Sequence, residues 1–284
     1  MIAVAAVLVS GELAAEGVRA QLDDRIRAAG AGSNSALIEV EAEQLALLRE
    51  ITFTSGVGTE IQAKDSEALN RLVTPLQVNS GVPMVDVVRP GGVVVLAVRS
   101  AGAPRPVASR KGIRAIAQAI AGADGSRGGR FSVVTTLQRA PVLLTIGPVL
   151  NGSKAVGAVM VMTPLADVLA RLSADVGATL TTYNLRGDAT ATTSRTNPAP
   201  LSRDQTAVFH RGSTTVRETS GGTREMLGRL VVDHTTGAIL GVSIHDDSSE
   251  TELAVDGIGL AGLLLAGIAL ALVLRRRAAS SHDR

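Results

Sequence analysis

Residues 83–98 read PMVDVVRPGGVVVLAV. Two β-branched runs flank Arg89-Pro90-Gly91-Gly92. Branched side chains suit a pleated strand, while Pro fixes one turn dihedral and Gly admits a positive φ. The stretch therefore predicts an antiparallel hairpin. Working outward, the same grammar recurs. Residues 130–138 and 141–150 predict strands joined by a tight turn, and Asn151-Gly152 predicts a second turn leading into a strand over 155–162. Strands over 179–184 and 189–194 flank Leu185-Arg186-Gly187-Asp188. Runs at 214–218, 226–232 and 238–244 complete another sheet, with turns expected at Gly221-Gly222 and Thr235-Thr236-Gly237.

Helical stretches separate these strands. Residues 12–51 are rich in Ala, Glu, Leu, Arg and Gln and lack Pro. Leu37, Val40, Gln44, Leu47 and Ile51 recur at three-to-four spacing, and Leu13, Val18, Leu22 and Ile26 do so earlier. Gly30-Ala31-Gly32-Ser33-Asn34 is expected to loosen or kink that helix. Residues 65–78 predict a second helix capped by Asp65 or Ser66, and shorter ones are expected over 113–121 and 164–173. Residues 197–203, with two prolines, read as loop. Tight turns between successive strands imply antiparallel sheets, so the fold class is α+β.

The C-terminal end carries a different signal. Residues 257–274, GIGLAGLLLAGIALALVL, hold no charged or polar side chain and are followed by Arg275, Arg276 and Arg277. At about 1.5 Å per residue this run is near the minimum span for a hydrocarbon layer about 30 Å thick, and it is read as a transmembrane helix. The arginines mark its far end as cytoplasmic, which puts everything before it outside the cytoplasm. Small residues four apart, such as Gly262 and Ala266, suit close helix pairing and a homodimer through stalk and membrane helices. Residues 1–10 are read as a partial transmembrane or signal segment, because the apolar run over 2–9 is too short to span.

Composition excludes several chemistries. The chain has no Cys, so no disulfide, thiolate nucleophile or Cys-ligated metal forms. One Tyr, three Phe, no Trp and a net charge of +2 leave neither stacking aromatics nor a basic face for nucleic acid. No Gly-x-Ser-x-Gly elbow and no Gly-x-x-x-x-Gly-Lys-Ser/Thr loop occurs. His210, His234, His245 and His282 read as turn or surface residues, not as metal ligands. No enzyme activity, cofactor or metal is expected.

Three phrases together resemble a known family: Val85-Asp86-Val87-Val88-Arg89-Pro90-Gly91-Gly92-Val93, Gly147-Pro148-Val149 through Lys154-Ala155-Val156-Gly157-Ala158-Val159, and Thr182-Tyr183-Asn184-Leu185-Arg186-Gly187-Asp188. In this order they resemble the double Cache domain, the PAS-like extracytoplasmic sensor of many bacterial chemoreceptors, histidine kinases and cyclases. The resemblance implies a helical stalk over 11–82, a membrane-distal PAS-like module over 83–175 and a membrane-proximal one over 176–250. A linker over 251–256, the membrane helix over 257–274 and a basic cytoplasmic tail over 275–284 would follow. It also implies a bacterial plasma-membrane location, a small organic ligand and a cytoplasmic output domain or partner outside this chain. Amine-binding members place an aspartate just after the strand that ends here at Met162; this chain has Thr163-Pro164 there.

A distal pocket would draw its polar lining from the sheet and the loop that covers it. Arg99, Arg114, Arg130, Thr135 and Thr145 are the candidates. Arginine grips a carboxylate or phosphate in bidentate fashion, and threonine hydroxyls complete the fit. The alternative reading is a tethered envelope scaffold that binds other proteins and no small molecule.

Overall fold

The computed structural model describes residues 2–122, 129–210, 214–219, 223–232 and 235–245. The larger of two compact units comprises Ala28–Thr215 and Met226–Ser243. Its elements begin with α1, Ile2–Phe53, whose later part belongs to this unit. Leu37, Val40, Leu47 and Ile51 are all buried, as their spacing requires. Two further helices follow, α2 (Val57–Ala63) and α3 (Ser66–Ser80). Asp65 caps α3, its carboxylate accepting from the backbone N–H of Glu67 at 3.0 Å and of Ala68 at 2.9 Å.

Five antiparallel strands form the first sheet: β1 (Met84–Val88), β2 (Val94–Arg99), β3 (Phe131–Leu137), β4 (Ala140–Asn151) and β5 (Lys154–Pro164). Their order is β2-β1-β5-β4-β3, so the hairpin read at 83–98 lies at one edge and β5 sits at the centre. Side chains alternate between two apolar layers. Val85, Val87, Val159 and Val161 meet Leu47, Leu48, Ile51, Ile61 and Leu69 of α1–α3. On the opposite face Met84, Leu144, Ile146, Met160 and Met162 meet Ala115, Ile116 and Ala119 of α4 (Arg114–Ala121).

The polar Gln44 in the α1 stripe finds a partner for both its amide nitrogen and its carbonyl oxygen within the first layer. Its amide donates to Thr163 Oγ1 at 2.8 Å, and its carbonyl accepts from Thr145 Oγ1 at 2.7 Å. Thr145 in turn shares a 2.8 Å bond with Ser132. Buried polar groups need partners, and this chain of bonds fixes where α1 rests along β3, β4 and β5.

Beyond β5 come α5 (Leu165–Val176), β6 (Thr179–Tyr183), β7 (Ala189–Thr192), α6 (Arg203–His210), β8 (Thr215–Thr219), β9 (Thr223–Val232) and β10 (Thr235–His245). The second sheet runs β7-β6-β10-β9-β8. Tyr183, Leu201, Leu227 and Ile239 form its small core. Arg171 of α5 forks onto Glu43 of α1 at 2.9 and 3.1 Å, and this hydrogen-bonded cation holds the Glu43 carboxyl below its usual range. In the smaller unit, Leu22 and Ile26 are buried and Asp23 accepts from Arg224.

Some sequence expectations need correction. The helix does not loosen at Gly30–Asn34, because α1 passes straight through. Small size serves packing there: a Cβ on Gly30 would collide with the Met226 side chain, and Ser33 bonds back to the Ala29 carbonyl at 2.8 Å. Thr235, Thr236 and Gly237 are strand, not turn. The β4–β5 turn is Gly152-Ser153, since Asn151 still pairs with Lys154. α2 and α6 were not foreseen from the sequence. Among the described residues no helix is long and apolar enough to cross a membrane. The predicted span over 257–274, the turn at Gly221-Gly222, the linker and Arg275, Arg276 and Arg277 lie outside the described residues.

Candidate ligand-facing site

Asp86 lies on β1 between Met84 and Val88, and strand alternation turns it toward the α4 face. It is 0 % exposed. A lone carboxylate buried there would be strongly unfavourable, and two guanidiniums neutralise it. Arg99 Nη2 donates to one oxygen at 2.5 Å and Arg110 Nε to the other at 2.7 Å. Arg99 also donates to the carbonyls of Pro104, Val85 and Val98, so the 100–113 segment is fastened to the sheet at both ends.

The backbone repeats that fastening. Arg110 N–H donates to Gly92 C=O at 2.7 Å, Val94 N–H to Ala108 C=O at 3.1 Å, and Val93 bridges Ser109. Gly92 must be glycine: its φ is +83°, and a Cβ would sit 2.8 Å from the Arg110 carbonyl. Between this turn and α4 opens a cleft of about 600 Å3. Ile113, Ile116 and Ile120 supply apolar wall, and Lys111 and Arg114 are exposed at its rim. Two guanidiniums against one carboxylate leave a net positive charge beneath it, so the arrangement suits a small anion with an apolar body.

The five candidates do not converge on one pocket. Arg99 is committed to Asp86, and Arg114 stands at the cleft rim as the first residue of α4. Thr145 faces the opposite layer, bonded to Gln44, and Thr135 is half-buried on edge strand β3. Arg130, just before β3, lines a separate cleft beside Phe53. Sequence reading missed Asp86 and Arg110 as site residues. The available signal was one acidic residue inside a β-branched run, which demands a basic partner without saying which one. Among the described residues no group of three or more His, Asp or Glu could hold a metal ion.

Comparison with solved structures places the fold. The ligand-binding domain of the Campylobacter jejuni chemoreceptor Tlp3, in complex with L-norvaline, matches with a TM-score of 0.54 at 12 % identity, covering 80 % of this chain and 91 % of that one. The Vibrio cholerae histidine kinase DctB sensor domain matches at 0.53 and 8 % identity, covering 80 % and 97 %. The extracellular domain of the putative histidine kinase vpHK1S-Z8 matches at 0.54 and 10 % identity, covering 81 % and 96 %. No family model and no curated protein matches the chain in sequence. The chain has the Cache/PAS-like fold of these sensor domains.

Proposed function

We propose that the protein is a membrane-anchored extracytoplasmic sensor domain that binds a small organic ligand and passes a conformational signal across the membrane. The observation that carries this reading is the 100–113 segment, pinned by Asp86 over one face of the first sheet and bordering an open cleft with a cationic rim. The shared fold with ligand-binding sensor domains supports it. In this reading the first sheet is the membrane-distal module and the second is the proximal one. The apolar run over 257–274 anchors the chain in a bacterial plasma membrane, and Arg275–Arg277 face the cytoplasm. Ligand would shift an equilibrium between two protomer packings only by its differential affinity for them. An output domain or partner in the cytoplasm would read that shift, and no catalytic role is assigned to the chain itself.

The test is a thermal-shift screen of the detergent-solubilised full chain against L-valine, L-norvaline and small dicarboxylates, repeated with Arg114→Gln. A stabilising compound whose effect shrinks in the variant supports the reading; no shift from any class refutes it. One observation favours a second reading, an envelope interaction module: the layer beneath α4 is already filled by Met84, Ile146, Met160 and Met162. That reading expects no ligand shift and co-purification with an envelope protein.

A further inference from the structure

Arg130 has no counter-charge among the described residues, and its Nε is buried without a hydrogen-bond partner. Withholding a guanidinium N–H from both water and an acceptor is unfavourable. The side chain is nevertheless held in place. Its stem crosses β4 at Gly147, where a Cβ would meet Arg130 Cγ at 2.9 Å, and its guanidinium carbon lies 4.8 Å from the Phe53 ring centroid. Phe53, at the end of α1, is 72 % exposed, an unusual state for a large aromatic.

Around this pair lies a cleft of about 550 Å3, on the part of the chain where α1, the β4–β5 hairpin and the start of β3 meet. Leu150, 45 % exposed, and Pro148 extend its apolar surface. Ser55 and Thr59 line it as well. The Thr52 and Thr54 hydroxyls already donate to the Arg49 and Glu50 carbonyls, so they do not compete as donors. The cleft is distinct from the one beside α4, which shares no lining residue with it.

We propose that this cleft is a second ligand site, taking a small monocarboxylate with an apolar body, its carboxylate on Arg130 and its body against Phe53 and Leu150. Among the described residues Arg130 is the sole charged lining residue, which matches one negative charge; a phosphate dianion would lack its second cation. The planar fork favours a carboxylate's two oxygens, and stacking on Phe53 pre-organises that fork. The Ser55 and Thr59 hydroxyls complete the donor set.

The test uses the full chain in detergent micelles, with benzoate as probe and benzamide and inorganic phosphate as comparators, read by titration calorimetry and saturation-transfer NMR. Benzoate is expected to bind, with benzamide weaker by about tenfold or more. Arg130→Met should weaken benzoate by about tenfold or more, and Phe53→Ala should reduce saturation transfer to the benzoate ring. Benzoate also suits the cleft beside α4, so the Arg130 variants are compared on an Arg114→Gln background, where a loss on changing Arg130 belongs to this site alone. Arg130→Lys keeps the charge without the fork and should still weaken binding several-fold, and it serves if Arg130→Met fails to fold. Undetectable benzoate binding at about 10 mM, equal binding of benzamide or phosphate, or full affinity in both Arg130 variants would overturn the proposal.

Discussion

Replacing Asp86 with Asn tests whether the buried ion cluster holds the cleft-forming segment. The substitution keeps shape and removes the charge that sits 2.5 Å from Arg99 and 2.7 Å from Arg110. Both guanidiniums are at least nine-tenths buried, with side-chain exposures of 9 % and 5 %. Removing one partner of a buried pair costs about 3–5 kcal/mol, because the remaining charge has neither water nor counter-ion. That is a large share of a typical total stability of about 5–15 kcal/mol. For a unit of this size it corresponds to a fall in Tm of roughly 6–20 °C, at about 2–4 °C per kcal/mol. Far-UV circular dichroism during heating and urea titration would measure it. The two arginines differ in their alternatives. Arg99 still has the carbonyls of Val85, Val98 and Pro104, whereas Arg110's side chain bonds only Asp86 among the described residues. Adding Arg110→Met to Asp86→Asn should therefore recover more stability than adding Arg99→Met. A loss below about 1 kcal/mol for Asp86→Asn, or equal rescue by both arginine variants, would refute the reasoning.

Three further outcomes follow from the packing. Gln44→Leu should cost about 1–3 kcal/mol in urea unfolding, because the Thr163 hydroxyl loses its donor and Thr145 its acceptor; Thr163→Val on that background should recover part of it. Gly30→Leu should lower the unfolding free energy measured in urea by about 1–3 kcal/mol through overpacking against Met226, although leucine is the better helix former. Glu43→Gln should cost at most about 1 kcal/mol at neutral pH, since both partners of the Arg171 pair are about half exposed. The native Glu43 carboxyl titrates below its usual 4.5, so the pair's contribution is complete above that value and fades as pH falls beneath it. Stability measured at two pH values, one near neutrality and one well below 4.5, should show the difference between native and Glu43→Gln protein only at the higher.

Local chemistry accounts for what the sequence made legible. The Leu37-to-Ile51 stripe is buried, the hairpin around Pro90 forms with Gly91 and Gly92 both at positive φ, and Asp65 caps α3. Each of these depends on neighbours within a few residues, where periodicity and turn chemistry act directly. Elements that depend on distant partners were misread or unseen. Gly30 to Asn34 has the composition of a break, yet Met226 closing over Gly30 makes the small residues an asset, and tertiary packing overrides helix propensity. α2, VGTEIQA, begins after Gly56 without a side-chain cap and is too short for a periodic stripe; Val57 and Ile61 fix it against the sheet. The central place of β5 between β1 and β4 is set by pairing across more than sixty residues of chain, as in Asp86 opposite Met160. The candidate sites follow the same division. A carboxylate inside a valine run announces that some cation must reach it, but Arg110 arrives from 24 residues away on a segment with no regular pattern. Arg130 is the complementary case: a cation on a strand boundary whose lack of a partner emerges only once Gly147, Phe53 and the β4–β5 hairpin have been brought around it. Sites of this kind are assembled by topology, so their residue types are visible in the chain while their pairing belongs to the fold.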